Sequence, residues 1–374
     1  MSTLFIDCET FSELDLKVVG AHRYAEHSST ELLLVTYALG AGAVHTWSPA
    51  EGERIPGLLL DALLRQDDLK TAHNSAFDRN VIPRALFRMG ILTAAQCDRL
   101  LDPRQWRCTM VKALAHALPG DLDTLGKVLG LGADQAKIAE GKKLIQRFCK
   151  PAPANHKRRR YDHTSHPELW AKFRTYAETD IVAMRECDRR MPEWNLGPRE
   201  LELWFLDQKI NDRGFYCDRE LVDAAVRSTT EEKAHLARRF VELTGGQVAR
   251  ASQREQFRTY LAERHGLELE NTQAETLRTV RRQVPEGSVV AELIDIALAA
   301  NKNSTSKYAR IQPAIGPDGR FRGGLQFAGA GRTRRWSGRN FQPHNLPSRG
   351  LPKADLVDAY IEALKANAHV EVFG

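Results

Sequence analysis

An apolar run interrupted by two acids opens the chain: in TLFIDCE, residues 3 to 9, Asp7 and Glu9 stand two positions apart. Short apolar runs bounded by polar residues read as strands, and ELLLVTYAL (31–39) and AVHTWS (43–48) repeat the pattern across a Gly-containing turn. GLLLDALLR (57–65) predicts a short helix, LKTAHN (69–74) a further strand, and AFDRNVIPRALFRMG (76–90) a helix. Pro83 lacks an N–H, which predicts a kink or break near Val81 to Pro83. From Cys108 to Cys149 the pattern is helical, with apolar spacings of three and four in LDTLGKVLGL. KPAPANHKRRRYDHTSHP (150–167) combines prolines with polar and basic residues and predicts a loop. ELWAKFRTYAETDIVAMRECDRRM (168–191) predicts a long amphipathic helix.

Pro192 and NLGPRE mark a boundary, after which the chain reads as mostly helical, with charged helices such as STTEEKAHLARRFVELTG. Residues 319–354 change character again, with eight Lys or Arg and no Asp or Glu. The chain is long enough, at 374 residues and 42% hydrophobic, for two or three domains with filled cores. No apolar run is long enough for a membrane span, and the N-terminus lacks the layout of a signal peptide. Six scattered cysteines without a CxxC pair argue against a disulfide framework or a structural zinc and suit a reducing cytoplasm, bacterial or phage-infected. A net charge of +6 mildly favours polyanionic partners and by itself decides little.

Residues i and i+2 share a strand face, so Asp7 and Glu9 point the same way. Two carboxylates brought together repel unless a lysine, an arginine or a metal ion stands between them, and burying unpaired charge costs several kcal/mol or more. Asp78 follows Asn74 by four residues just past a strand-to-helix junction, and Asp180 follows Tyr176 by four on one helix face. Taken singly, each of these is an ordinary surface acid. Oxygen donors without a His or Cys cluster suit Mg or Mn, not zinc. Two such ions, roughly 3.5 to 4 Å apart, can activate a water and stabilise the leaving oxygen of a phosphodiester. A tyrosine beside the fourth acid can hold that water in line.

In order and spacing, FIDCET, HNSAFD and YAETD resemble the three motifs of the DEDD 3′-5′ exonucleases, and Tyr176 with Asp180 matches the tyrosine subtype. The resemblance implies an α/β, ribonuclease H-like fold with a mixed central sheet over residues 1–195. It implies Asp7, Glu9, Asp78 and Asp180 as ligands of two divalent ions, and Tyr176 as the residue orienting the attacking water. It extends, more softly, to Thr10 near the primer terminus and to Asn74 as a DNA contact. His73 is expected to satisfy the strand-to-helix turn.

A second resemblance covers most of the remainder. LDQKINDRGFYCD (206–218) is similar to the segment that opens the polymerase part of family A DNA polymerases. NKNSTSKYARI and GRTRRWSGRNFQPHNLP are similar to their thumb-to-palm segments, with Arg334 where the usual motif has glycine. Residues 196–374 are therefore expected to form a mainly helical, thumb-like partial polymerase region. Arg332, Arg334, Arg335 and Arg339, interleaved with Trp336 and Phe341, suit phosphate pairing and base stacking. Asn340, Gln342, His344 and Asn345 add hydrogen-bonding capacity. The KRRR run at 157–160 reads equally as a solvated loop or a DNA contact. The later palm acids and fingers pattern of the family are absent, so polymerisation is not expected from this chain alone; it is expected to be truncated, or split from a separate chain carrying palm and fingers. These features together lead to an expected metal-dependent 3′-5′ exonuclease proofreading a single-stranded or frayed DNA 3′ end, with primer-template held by the C-terminal part. An RNA-trimming exonuclease of the same superfamily and a non-catalytic DNA-binding polymerase subunit are the alternatives.

Overall fold

A computed structural model describes residues 3–132, 135–300, 305–342 and 354–373. Strands β1 (Thr3–Phe11), β2 (Glu31–Leu39), β3 (Val44–Trp47), β4 (Leu69–Ala72) and β5 (Trp106–Cys108) form one sheet in the order β3-β2-β1-β4-β5. β1 pairs antiparallel with β2 and parallel with β4, and β4 pairs parallel with β5, so the sheet is mixed. β5 has only three residues, too few to show a period, and lies just ahead of the stretch predicted to be helical from Cys108.

Helix α1 (Leu16–Glu26) follows β1, and α2 (Gly57–Leu64), α3 (Ala76–Arg88) and α4 (Ala94–Leu100) flank β4 in the chain. Then come α5 (Thr109–Ala115), α6 (Leu122–Val128), α7 (Gln135–Phe148), α8 (Pro167–Arg190) and α9 (Pro198–Arg213). The expected break near Val81 to Pro83 does not occur: α3 continues through Pro83. Val81, Ile82, Ala85 and Leu86 are all buried around that proline, so packing offsets the lost backbone bond.

Alternation along β1 sorts its side chains to the two faces of the sheet. Leu4, Ile6 and Cys8 enter one core with Val81, Ile82 and Leu86 of α3. On the other face Phe5 packs with Ile181 and Met184 of α8, and Phe11 packs with Trp170, Phe173 and Ala177 of the same helix. Asp7 and Glu9 lie on β1 between these two apolar clusters.

Packing divides the protein into two compact units. The first runs to Tyr216 and regains the segment from Pro313 onward that carries hairpin β8–β9 (Leu325–Ala330, Arg335–Gly338). It also holds β6 (Phe215–Tyr216) paired with β7 (Arg320–Phe321). The unit therefore reaches past the expected limit at residue 195, because Trp204 and Phe205 of α9 enter the sheet's core and Trp336 Nε1 donates to Asp207 at 2.7 Å. The second unit is helical: α10 (Arg219–Leu243), α11 (Arg254–His265), α12 (Ala274–Arg281), α13 (Val289–Ala300) and α14 (Ser306–Ile311), with α15 (Ala354–Lys365) and α16 (His369–Phe373). Phe240, Phe257, Leu261, Leu293 and Ile294 form its core. No helix among the described residues is long and apolar enough to cross a membrane.

Candidate metal centre

Asp7, Glu9 and Asp180 converge across the β1–α8 interface, each offering a carboxylate oxygen within 4.8 Å of the others. The strand's period of two brings the first pair together, and the flanking apolar clusters fix α8 so that Asp180 faces them. Asp78 approaches from the first turn of α3 and is buried. β1 pairs with β4 only as far as Phe5, and beyond that point the Cys8 backbone N–H donates to Asp78 Oδ1 at 3.1 Å. Asp78 thus sits at the edge of the group and outside the 4.8 Å set.

The electrostatics follow from burial without a counter-ion. Burial raises the Asp7 carboxyl to about 6. Burial, then Asp7 and Asp123, raises Asp180 to about 8, against a hydrogen bond from Tyr176 that pulls it down. Glu9 is pushed well up by burial and by Asp7 and Asp180, and Asp78 by burial and Asp7. Among the described residues no Lys or Arg forms an ion pair with any of the four; the donors to them are neutral, the Cys8 N–H to Asp78, the Tyr176 hydroxyl to Asp180 and the Cys149 thiol, 3.5 Å from Glu9 Oε2. Of the three neutralising partners the sequence leaves open, a cation from solution is the one these residues fit. The donors are oxygens on an open cleft, as Mg or Mn requires.

That cleft, about 410 Å³, is lined by Asp7, Asn74, Tyr176 and Asp180, and also by Asp123, Lys142 and Arg339. Tyr176 lies one helical turn before Asp180, and burial, then Asp180 and Glu9, holds its hydroxyl protonated well above its ordinary range. Asn74 sits in the left-handed region at φ 65° at the turn from β4 into α3. His73 is fully engaged, Nδ1 with Thr109 Oγ1 and Nε2 with the Gly120 carbonyl, both at 2.9 Å. Thr10 is buried, its hydroxyl 2.9 Å from that of Tyr24.

The basic tract is only partly gathered here. Arg339 reaches the cleft, with its Nε donating to Gln326 at 3.0 Å. Arg332, Arg334 and Arg335 are exposed; Arg334 donates to the Asn195 carbonyl and Arg335 to Thr333. Asn340 lines a neighbouring cavity of about 370 Å³ that shares Asn74, Met110 and Arg339 with the cleft. His344 and Asn345 lie outside the described residues. In the KRRR run, Arg160 pairs with Glu31 at 2.6 Å and stacks over Phe11, so part of that loop is fastened to the sheet. Asp123 and Lys142 carry no local pattern that marks them in the sequence; only the packing of α6 and α7 brings them to the site.

The chain matches no protein-family model. Over 358 residues it is 35% identical to a protein named DNA polymerase from Bacillus phage SP02, an alignment that takes in 95% of this chain and 53% of that protein. The chain spans about half the length of the relative it matches. With a mixed sheet and a helical second unit, the chain is similar along nearly its whole length to about half of a phage DNA polymerase.

Proposed function

We propose that the chain is a metal-dependent 3′-5′ exonuclease that removes nucleotides from a DNA 3′ end, as the proofreading part of a family A polymerase. The observation that carries this reading is the convergence of Asp7, Glu9 and Asp180, with Tyr176 one turn away on α8. The strand order β3-β2-β1-β4-β5, with β2 alone of β1's partners antiparallel, supports a ribonuclease H-like sheet. In this reading residues 1–195 are the nuclease domain, and residues 196–374 are a partial polymerase region that lends α9 and β8–β9 to the same compact unit.

Asp7, Glu9, Asp78 and Asp180 would hold two Mg or Mn ions, which supply, when bound, a more acidic water and charge stabilisation on the phosphate. The Tyr176 hydroxyl, held neutral by its acidic neighbours, orients a water by hydrogen bonding. Lys142 and Arg339 line the cleft with positive charge suited to a phosphodiester backbone. A strand threaded there meets acids at the reacting end and cations along its backbone.

The test uses 5′-labelled single-stranded DNA with Mg or Mn, comparing the wild type with Asp7→Ala/Glu9→Ala. The wild type is expected to produce a shortening ladder that chelator abolishes, and the double variant to produce none above background. Equal digestion by both proteins would sink the assignment.

A further inference from the structure

Gly141 lies in the interior of α7, where glycine costs about 1 kcal/mol relative to alanine. Its surroundings show what that position accommodates. A Cβ built on Gly141 would overlap Cε2 and Cδ2 of the Tyr176 ring and lie 2.7 Å from Cζ, closer than real Cβ atoms approach. The tyrosine ring thus occupies the volume that any side chain at 141 would need.

α7 has no room to retreat. Three and seven residues further on, Leu144 and Phe148 are buried in a core with Trp170, Phe173 and Ala177 of α8. Phe148 stacks on Phe173 at 5.3 Å between centroids and meets Trp170 edge-on at 5.0 Å. Lys142 and Ile145, one and four residues after Gly141, line the carboxylate cleft itself. With the helix fastened at its C-terminal half, an added methyl would displace the ring and leave the helix in place.

We infer that Gly141 is a positioning residue for the Tyr176 hydroxyl: its bare Cα is the seat that sets how the ring approaches Asp180. The inference rests on the nuclease reading above and deepens it, because it assigns α7, outside the three motif segments, a part in aligning the attacking water. Gly141 itself touches neither metal ligand nor substrate, so its effect passes through Tyr176.

The experiment compares the full chain as wild type, G141A, Y176A and G141A/Y176A, in three measurements. These are single-turnover cleavage of 5′-labelled single-stranded DNA with Mg, affinity for the same DNA in chelator, and thermal midpoint. G141A is expected to slow cleavage about 100-fold, the scale set by a misplacement of about 1 Å. DNA affinity should stay within about twofold, since ground-state binding does not use the hydroxyl. In the Y176A background, where the ring's volume is free, adding G141A should leave the rate unchanged and raise the midpoint slightly, since alanine is the better helix former. The inference is overturned if G141A cleaves like the wild type, or if G141A slows Y176A by the same factor as it slows the wild type. Should G141A alone fail to fold, a restored midpoint in G141A/Y176A supports the contact, and an unrestored one overturns it. A wild type that cleaves no DNA with Mg or Mn defeats the nuclease reading, while the midpoints still test the seat.

Discussion

Asp7, Glu9, Asp78 and Asp180 are each pushed towards the protonated form chiefly by burial, and at Glu9, Asp78 and Asp180 neighbouring acids add to the push. A protein retains such a group when a ligand relieves the repulsion, which is why the acids point to a cation more firmly than to any one reaction. Tyr176 is separable from that binding role. It shares the cleft with the acids, yet its phenol is a poor ligand while protonated. Tyr176→Phe keeps the ring on Gly141 and removes only the hydroxyl. It should lower kcat by about 10 to 100-fold with KM nearly unchanged, the pattern of an interaction made only in the transition state. Steady-state kinetics on a short single-stranded DNA would check this, and a raised KM at unchanged kcat would assign the tyrosine to substrate binding instead.

At the scale of elements, three helices of the first unit are tied by one ion pair. Arg79 of α3, the neighbour of Asp78, donates to both carboxylate oxygens of Asp212 in α9 at 2.8 and 3.0 Å, and His22 of α1 lies 2.9 Å from the same carboxylate. Burial would raise the Asp212 carboxyl, but His22 and Arg79 together hold it down at about 2. Its folded value lies below its unfolded one, so the stability it contributes is present above the unfolded carboxyl range and lost as pH falls towards 2. Asp212→Asn should therefore cost about 3 kcal/mol near neutral pH, where it strands a buried guanidinium. Urea unfolding should show the gap to wild type narrowing progressively from about pH 5 towards pH 2; a gap of constant size would mean that ionisation of Asp212 contributes nothing to stability. Much of this element plan was legible along the chain: β1, β2, β4, α3 and α8 announce themselves by apolar periodicity, a spacing of two put Asp7 and Glu9 on one strand face, and a spacing of four put Tyr176 and Asp180 on one helix face. Less visible were β5, whose three residues are too few for a period, and α1, whose Leu16 and Val18 are exposed and whose turn at Gly20 has φ 77°. The meeting of Asp123, Lys142 and Arg339 at the cleft was illegible for another reason: it depends on tertiary packing among three distant segments.

At the scale of the whole molecule, every described residue of the site belongs to the first unit, and the second unit has a core of its own. The basic segment that resembles a thumb-to-palm connection returns to the first unit, where Arg339 enters the carboxylate cleft. The proposed nuclease removes nucleotides from the 3′ end of a strand. Direction of attack and identity of the product therefore bear on the central claim more directly than the loss of activity in any variant. One DNA strand labelled in separate preparations at its 5′ or 3′ end, incubated with the full chain and Mg or Mn, distinguishes the cases. For a 3′-5′ exonuclease the 3′ label is expected to appear at once as a nucleoside 5′-monophosphate while the 5′-labelled strand shortens stepwise. Immediate release of the 5′ label, or internal fragments from both preparations, would contradict that assignment.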